Sequence, residues 1–198
     1  MKIKPSAILF DMDGVLVNSF EAWWKSLNLT LKKFNYKEVT KEEFSEIYWG
    51  HGLRDNVKRM GFDPEVGRYC NIVYSQHIDD ITIYKDTKYT LQRLKNYKKS
   101  VITNTPSDIA KKILKKFNID LFFINMITSD DVVNEKPDPE IVLKACKKLK
   151  VNPNTVVLIG DTESDIKAGK AAGCTVIGFK IDGDYKIKSL SELIDILE

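Results

Sequence analysis

Histidine and cysteine are scarce in this chain of 198 residues. Its two histidines, His51 and His77, stand far apart, and its three cysteines, Cys70, Cys146 and Cys174, form no C-x-x-C pair. Such spacing suggests neither a zinc knuckle nor a disulfide framework. Cys146 and Cys174 are expected to pack as small apolar side chains in a reducing cytoplasm. Net charge is nearly missing too. The 31 basic and 28 acidic residues leave only +3, too even a balance to point to nucleic acid. No apolar run is long enough to span a bilayer, and the opening MKIKPSAILF is interrupted too soon for a secretory h-region. Neither nucleic acid nor a membrane is therefore expected as a partner, and oligomeric state cannot be read from the sequence.

What is present is ordinary globular material, 43% hydrophobic and 30% charged, long enough for one domain carrying an insertion. Short apolar runs at Ala7–Phe10, Ser100–Ile102, Thr155–Ile159 and Cys174–Phe179 read as strands. They are continuous rather than alternating, the pattern of a parallel sheet covered on both faces. Amphipathic helices are expected between them at Thr87–Tyr97, Ser107–Phe117 and Pro139–Leu149. Alternating strands and helices predict a doubly wound α/β core from residues 1–18 and 84–198. Residues 19–83 differ: Phe20, Trp23, Trp24, Leu27, Leu31 and Phe34 recur at helical spacing, and no strand is evident. That segment reads as a helical insertion after the first strand.

In open α/β sheets, ligands bind beyond the carboxyl ends of the strands. The first strand runs into Asp11-Met12-Asp13-Gly14, the second into Thr103-Asn104-Thr105, and the third through Gly160 into Asp161, with Asp165 four residues later. A fourth polar point is Lys136 in NEKPDPE. Clustered carboxylates repel and shift one another's pKa values, and a hard divalent ion relieves this; an oxygen-only set favours magnesium over zinc. Thr103 offers a hydroxyl and Asn104 its amides. Thr105-Pro106 reads as the N-cap and first residue of a helix whose end attracts an anion. Carboxylates, metal, donors and one lysine together describe phosphoryl transfer. Each piece alone also reads as a turn, a cap or a solvated lysine; the four in order do not.

In that order, DMDGVLVNS, VITNT, EKPDPE and IGDTESDIKAGKAAG resemble the four motifs of the haloacid dehalogenase (HAD) superfamily. The resemblance runs from Asp11 to Gly173, and its spacing is similar to that of members with a helical cap after the first motif. It implies a Rossmann-like core with a cap at 19–83, and Asp11 as a nucleophile forming an aspartyl-phosphate. Asp13 would protonate the leaving group and later activate water. Mg²⁺ would be held by the carboxylates of Asp11 and Asp161 and the backbone carbonyl of Asp13. Thr103 and Asn104 would bind the phosphoryl oxygens, and Lys136 would neutralise charge on phosphate and nucleophile. Asp165 would orient Lys136 or metal-bound water.

Dehalogenases of the superfamily lack the second acid and transport ATPases carry Thr there, so Asp13 resembles the phosphomonoesterases. β-Phosphoglucomutase-like members usually carry Glu-Asp in the fourth motif, where this chain has Gly160-Asp161. The nearer resemblance is to phosphoglycolate phosphatases, acting on a small phosphorylated metabolite. A phosphosugar mutase and a non-catalytic phosphometabolite-binding module remain alternatives. In WGHGLRD, Trp49 to Asp55, His51 and Arg54 could meet a substrate carboxylate or second phosphate; an ordinary loop between helices is the other reading.

Overall fold

Ala7–Asp11 forms β1 near the middle of a six-stranded sheet in the computed structural model, which describes residues 2–197. In chain order the other strands are β2 (Val17–Asn18), β3 (Thr82–Ile83), β4 (Lys99–Ile102), β5 (Asn125–Ile127), β6 (Val156–Gly160), β7 (Thr175–Phe179) and β8 (Tyr185–Ile187). The large sheet runs β5-β4-β1-β6-β7-β8, every pair parallel. Ile8 stands opposite Lys99 on one side and Val157 on the other. The strands on either side of β1 place the ends of β1, β4 and β6 around one crevice.

Side chains alternate across β1, so each face receives its own set. Ile8 and Phe10 join Val157 and Ile159 in a cluster with Leu91, Ile113 and Leu193. Ala7 and Leu9 join Val156 and Leu158 against Ile141, Val142, Ala145 and Ala168. With both faces covered, the strand reads as unbroken hydrophobicity. The covering helices are α5 (Thr87–Arg93), α6 (Ser107–Lys116), α7 (Glu140–Leu149), α8 (Glu163–Ala172) and α9 (Leu193–Ile196). They follow α1 (Phe20–Lys33), α2 (Lys41–Glu43), α3 (Leu53–Arg59) and α4 (Pro64–Gln76), with a π-helical turn at Phe44–Tyr48. Capping fixes two of these starts. Thr40 and Glu43 form a reciprocal capping box, and Asp63 accepts the Glu65 amide at 2.8 Å with Pro64 at the first helical position. Leu27, Leu31, Phe44, Tyr48 and Cys70 form a third apolar cluster within this helical stretch.

Several expectations need correction. β5 and β8 were not anticipated; each is a three-residue edge strand with too few apolar positions to show a pattern. Strand also occurs at 82–83, where none was read. β2 and β3 pair antiparallel, Val17 with Ile83, and a two-residue pair carries no periodicity. α5 ends at Arg93 rather than Tyr97; just beyond it the Lys99 ammonium donates to the carbonyls of Leu94 (2.6 Å) and Tyr97 (3.1 Å). α6 has Pro106, not Thr105, at its N-cap, since the Thr105 hydroxyl turns to Asp13. All three cysteines are buried and unpaired. Among the described residues, no helix is long and apolar enough to cross a membrane.

Ile8 is fully buried at the centre of the sheet. Ile8→Ala is expected to cost about 2–5 kcal/mol, read as a lower urea midpoint with an unchanged m-value.

Candidate active site

Asp11 ends β1 with its carboxylate buried. The Met12 amide donates to its Oδ1 at 2.8 Å, and the Lys136 ammonium lies 2.8 Å from the same oxygen. Lys136 is almost wholly buried and also donates to Asp165 Oδ1 at 2.7 Å. Burial alone would depress the ammonium; Asp11 and Asp165 outweigh it and hold the pKa above its ordinary value. Asp165 is fixed in turn, its Oδ2 accepting the amide (3.1 Å) and hydroxyl (2.7 Å) of Thr162 at the start of α8. The Asn104 side chain holds the backbone of Lys136 from both sides: its Oδ1 accepts the Lys136 amide at 3.0 Å and its Nδ2 donates to the Lys136 carbonyl at 3.2 Å.

Close approach is arranged by glycine. Gly14, at φ +85°, would place a Cβ 2.0 Å from Asp161 Oδ2, and a Cβ on Gly160 would lie 2.1 Å from Asp165 Cβ. The carboxylates of Asp11, Asp161 and Asp165 therefore gather with one oxygen of each within 4.8 Å of the others. Asp13 stands apart from this trio as the acceptor of four hydroxyls. Ser19 (2.6 Å) and Tyr74 (3.1 Å) donate to Oδ1, Thr103 (3.1 Å) and Thr105 (2.7 Å) to Oδ2.

The family model of haloacid dehalogenase-like hydrolases matches residues 8–179. The chain belongs to this family. A phosphoglycolate phosphatase of Aquifex aeolicus (strain VF5) is 31% identical over 188 residues, covering 92% of this chain and 87% of that one. Pyrophosphatase PpaX of Bacillus pumilus (strain SAFR-032) is 31% identical over 210 residues, covering 97% and 96%. The crystal structure of a HAD-superfamily hydrolase, subfamily IA, variant 1, from Geobacter sulfurreducens aligns with a TM-score of 0.80 at 25% identity, covering 98% of this chain and all of that one.

The acidic trio of this HAD-like chain fits a hard divalent cation. Its donors are oxygen only, and Asp161 Oδ1 is buried with no hydrogen-bond partner among the described residues. Burial, with Asp165 next, pushes the Asp161 carboxyl up to about 8. Burial and Asp165 likewise raise Asp11, against the pull of Lys136. Both oxygens of Asp165 are already engaged, so Asp11 and Asp161 are the carboxylates better free to bind an ion.

The helical stretch reaches this crevice at several points. Trp49 donates its indole N–H to Asp161 Oδ2 at 3.3 Å, and Gly50, at φ +83°, sits where a Cβ would lie 2.8 Å from Thr162 Cβ. His51 lines the same cavity, its Nδ1 3.2 Å from Asp55 Oδ2, and burial followed by Arg59 lowers its pKa. Arg54, read from sequence as a group facing a substrate anion, is not brought to this cavity. Its Nε donates to Glu135 Oε1 at 2.9 Å, and its Nη2 donates to the carbonyls of Ser129 (2.7 Å) and Val132 (3.2 Å). Sequence reasoning gave no site role to Ser19, Tyr74 or Glu135, read Thr105 only as a helix cap, and placed Trp49 at the head of the WGHGLRD loop without its carboxylate partner. Thr105 had a signal in its place beside Thr103; Tyr74 lies in helical sequence with no motif around it, whereas Trp49 opens WGHGLRD.

Lys136→Met would leave Asp11 and Asp165 buried without their shared counter-charge. Without divalent metal at neutral pH, the variant should lose about 3–5 kcal/mol, measured by denaturant unfolding in EDTA.

Proposed function

We propose that this chain is a Mg²⁺-dependent phosphomonoesterase that works through an aspartyl-phosphate on Asp11. The observation carrying the reading is the buried Asp11 carboxylate at a strand's carboxyl end, clamped through Oδ1 by an amide and an ammonium. A clamp on one oxygen aims the other at a ligand in the crevice. The names of the relatives, phosphoglycolate phosphatase and pyrophosphatase, support a small phosphorylated substrate.

In the proposed first step an Asp11 oxygen attacks phosphorus and the bond to the leaving oxygen breaks. Asp13 delivers its proton to that oxygen. In the second step Asp13 removes a proton from water, which attacks phosphorus, breaks its bond to Asp11 and releases phosphate. Lys136 neutralises charge on Asp11 and on the phosphoryl oxygens. The Asn104 backbone N–H donates to those oxygens, the Asn104 side chain being occupied with Lys136, and the Thr103 hydroxyl donates to them only on turning away from Asp13. The ion would be held by the carboxylates of Asp11 and Asp161 and the Asp13 carbonyl, and it would supply positive charge against the phosphoryl group. Asp165 keeps Lys136 in place. Residues 19–83 act as a cap on a core of 1–18 and 84–198, excluding bulk water.

Phosphate release from p-nitrophenyl phosphate and a panel of small phosphoesters tests this, with Mg²⁺ or with EDTA. Release should require the metal and fall on the order of 10³-fold or more in Asp11→Asn, with the far-UV spectrum unchanged. Near-normal turnover in that variant would sink the mechanism, and isomerisation of a sugar phosphate outrunning release would point to a mutase. Tyr74→Phe removes one hydroxyl from Asp13 and should lower kcat about 3–10-fold with KM little changed, the consequence of one lost hydrogen bond.

A further inference from the structure

Above Asp11 lies a cavity that opens to solvent. Its upper wall is apolar and largely aromatic, built from Trp23, Leu27, Phe44, Tyr48, Trp49 and Leu53. Trp23 is held rigid by stacking on Tyr74, with ring centroids 3.7 Å apart and planes at 16°. Two polar side chains, His51 and Asn56, interrupt that wall. Asn56 is engaged at both ends, donating to the Tyr48 carbonyl at 3.0 Å and accepting from Arg59 at 2.7 Å. The His51 imidazole is disfavoured as a cation by burial and by Arg59. Among the described lining residues Lys136 is the one lysine or arginine, and it lies at the nucleophile end. Lys167 is near enough to bias His51, but it is exposed on α8 and does not line the cavity.

Two cations of the helical stretch stand near this wall: Arg59 is held by Asp55, Asn56 and the Ile47 carbonyl, and Arg54 is held by Glu135. The Glu135 side chain is 6% exposed and lies so close to the start of α3 that a Cβ on Gly52 would fall 2.0 Å from its Oε2. Its contact with Arg54 is reinforced by the Ser129 and Val132 carbonyls, which take Nη2, while the Arg54 side chain stays 55% exposed. Arg54 and Glu135 line a neighbouring groove instead.

We infer that the pocket selects phosphomonoesters of uncharged alcohols with a flat or bulky apolar body, and that Glu135 sets this selectivity by withdrawing Arg54 from the leaving-group side. This rests on the phosphatase reading and deepens it. A leaving group bearing a second anion, the carboxylate of phosphoglycolate or the second phosphoryl of pyrophosphate, would meet mostly aromatic carbon, the uncharged His51 and Asn56 side chains and no free cation. Burying an unpaired anion there is costly, while an apolar ring gains contact area and edge or face interactions.

The test compares benzyl phosphate with 2-phosphoglycolate, both primary alkyl phosphates, and adds pyrophosphate. Wild-type kcat/KM should favour benzyl phosphate by about tenfold or more, the range a single pocket contact commands. Glu135→Ala should narrow that ratio by raising turnover of phosphoglycolate; Glu135→Gln, which keeps the side-chain volume, should move it the same way if the alanine variant folds poorly. A wild-type preference for phosphoglycolate or pyrophosphate, or a ratio unmoved in the folded variants, would overturn the inference. Binding of the non-hydrolysable benzylphosphonate and phosphonoacetate, followed by tryptophan fluorescence, separates the two readings. Tighter benzylphosphonate binding with no turnover of any ester would uphold the pocket's selectivity and remove the phosphatase. Turnover combined with tighter phosphonoacetate binding would do the reverse.

Discussion

The site is organised around one buried ammonium. Lys136 lies between Asp11 and Asp165 at 2.8 and 2.7 Å, and all three are nearly or fully buried. Such a group is costly to desolvate and persists only when its partners are geometrically fixed. Each partner here is fixed by a different part of the chain. The end of β1 holds Asp11, the capping box at the start of α8 holds Asp165, and Asn104 after β4 grips the Lys136 backbone. Three parts of the sheet's connectivity thus converge on a single charge.

Asp13 answers to a different constraint. Two of its hydroxyl donors, Thr103 and Thr105, come from the loop after β4; Ser19 precedes α1 and Tyr74 belongs to α4. Its surroundings therefore depend on both the sheet and the helical stretch. A movement of α4 away from the sheet would strip Tyr74 from Asp13 while leaving Lys136, Asp11 and Asp165 untouched. The group proposed to move protons is thereby coupled to the position of the helices, and the proposed nucleophile is not.

How much of this could be read from the sequence follows the range of the interactions. β1, β4, β6 and β7 are buried on both faces and announce themselves as apolar runs, and the polar residues at their carboxyl ends follow from counting one step further. Lys136 and Asp165 carry local signatures in EKPDPE and in the turn into α8. The edge strands β5 and β8 and the β2–β3 pair are too short for any periodicity to build up. Tyr74 and Trp49 were illegible for another reason. Each reaches its carboxylate across a large gap in sequence, 61 and 112 residues, from a helix or a loop that names no partner. Arg54 shows the limit most plainly, because a cation in a glycine-flanked loop reads the same whether it faces a ligand or a buried glutamate.

That glutamate is the residue next to Lys136. Glu135 binds the helical stretch through Arg54, and Lys136 binds the proposed nucleophile, so two adjacent side chains of one loop hold the roof and the floor of the cavity. The loop itself is anchored by Asn104 beneath and by the Val133 and Asn134 amides, which donate to Glu140 at the start of α7. Through these bonds the one loop ties the helical stretch, by way of Arg54, to the segment that carries Lys136. Releasing Arg54 would therefore change more than local charge: the helices would lose an attachment to the core while the floor stayed as it was. Choice of leaving group and closure of the cavity are consequences of the same ion pair, and a change that alters one through Glu135 alters the other with it.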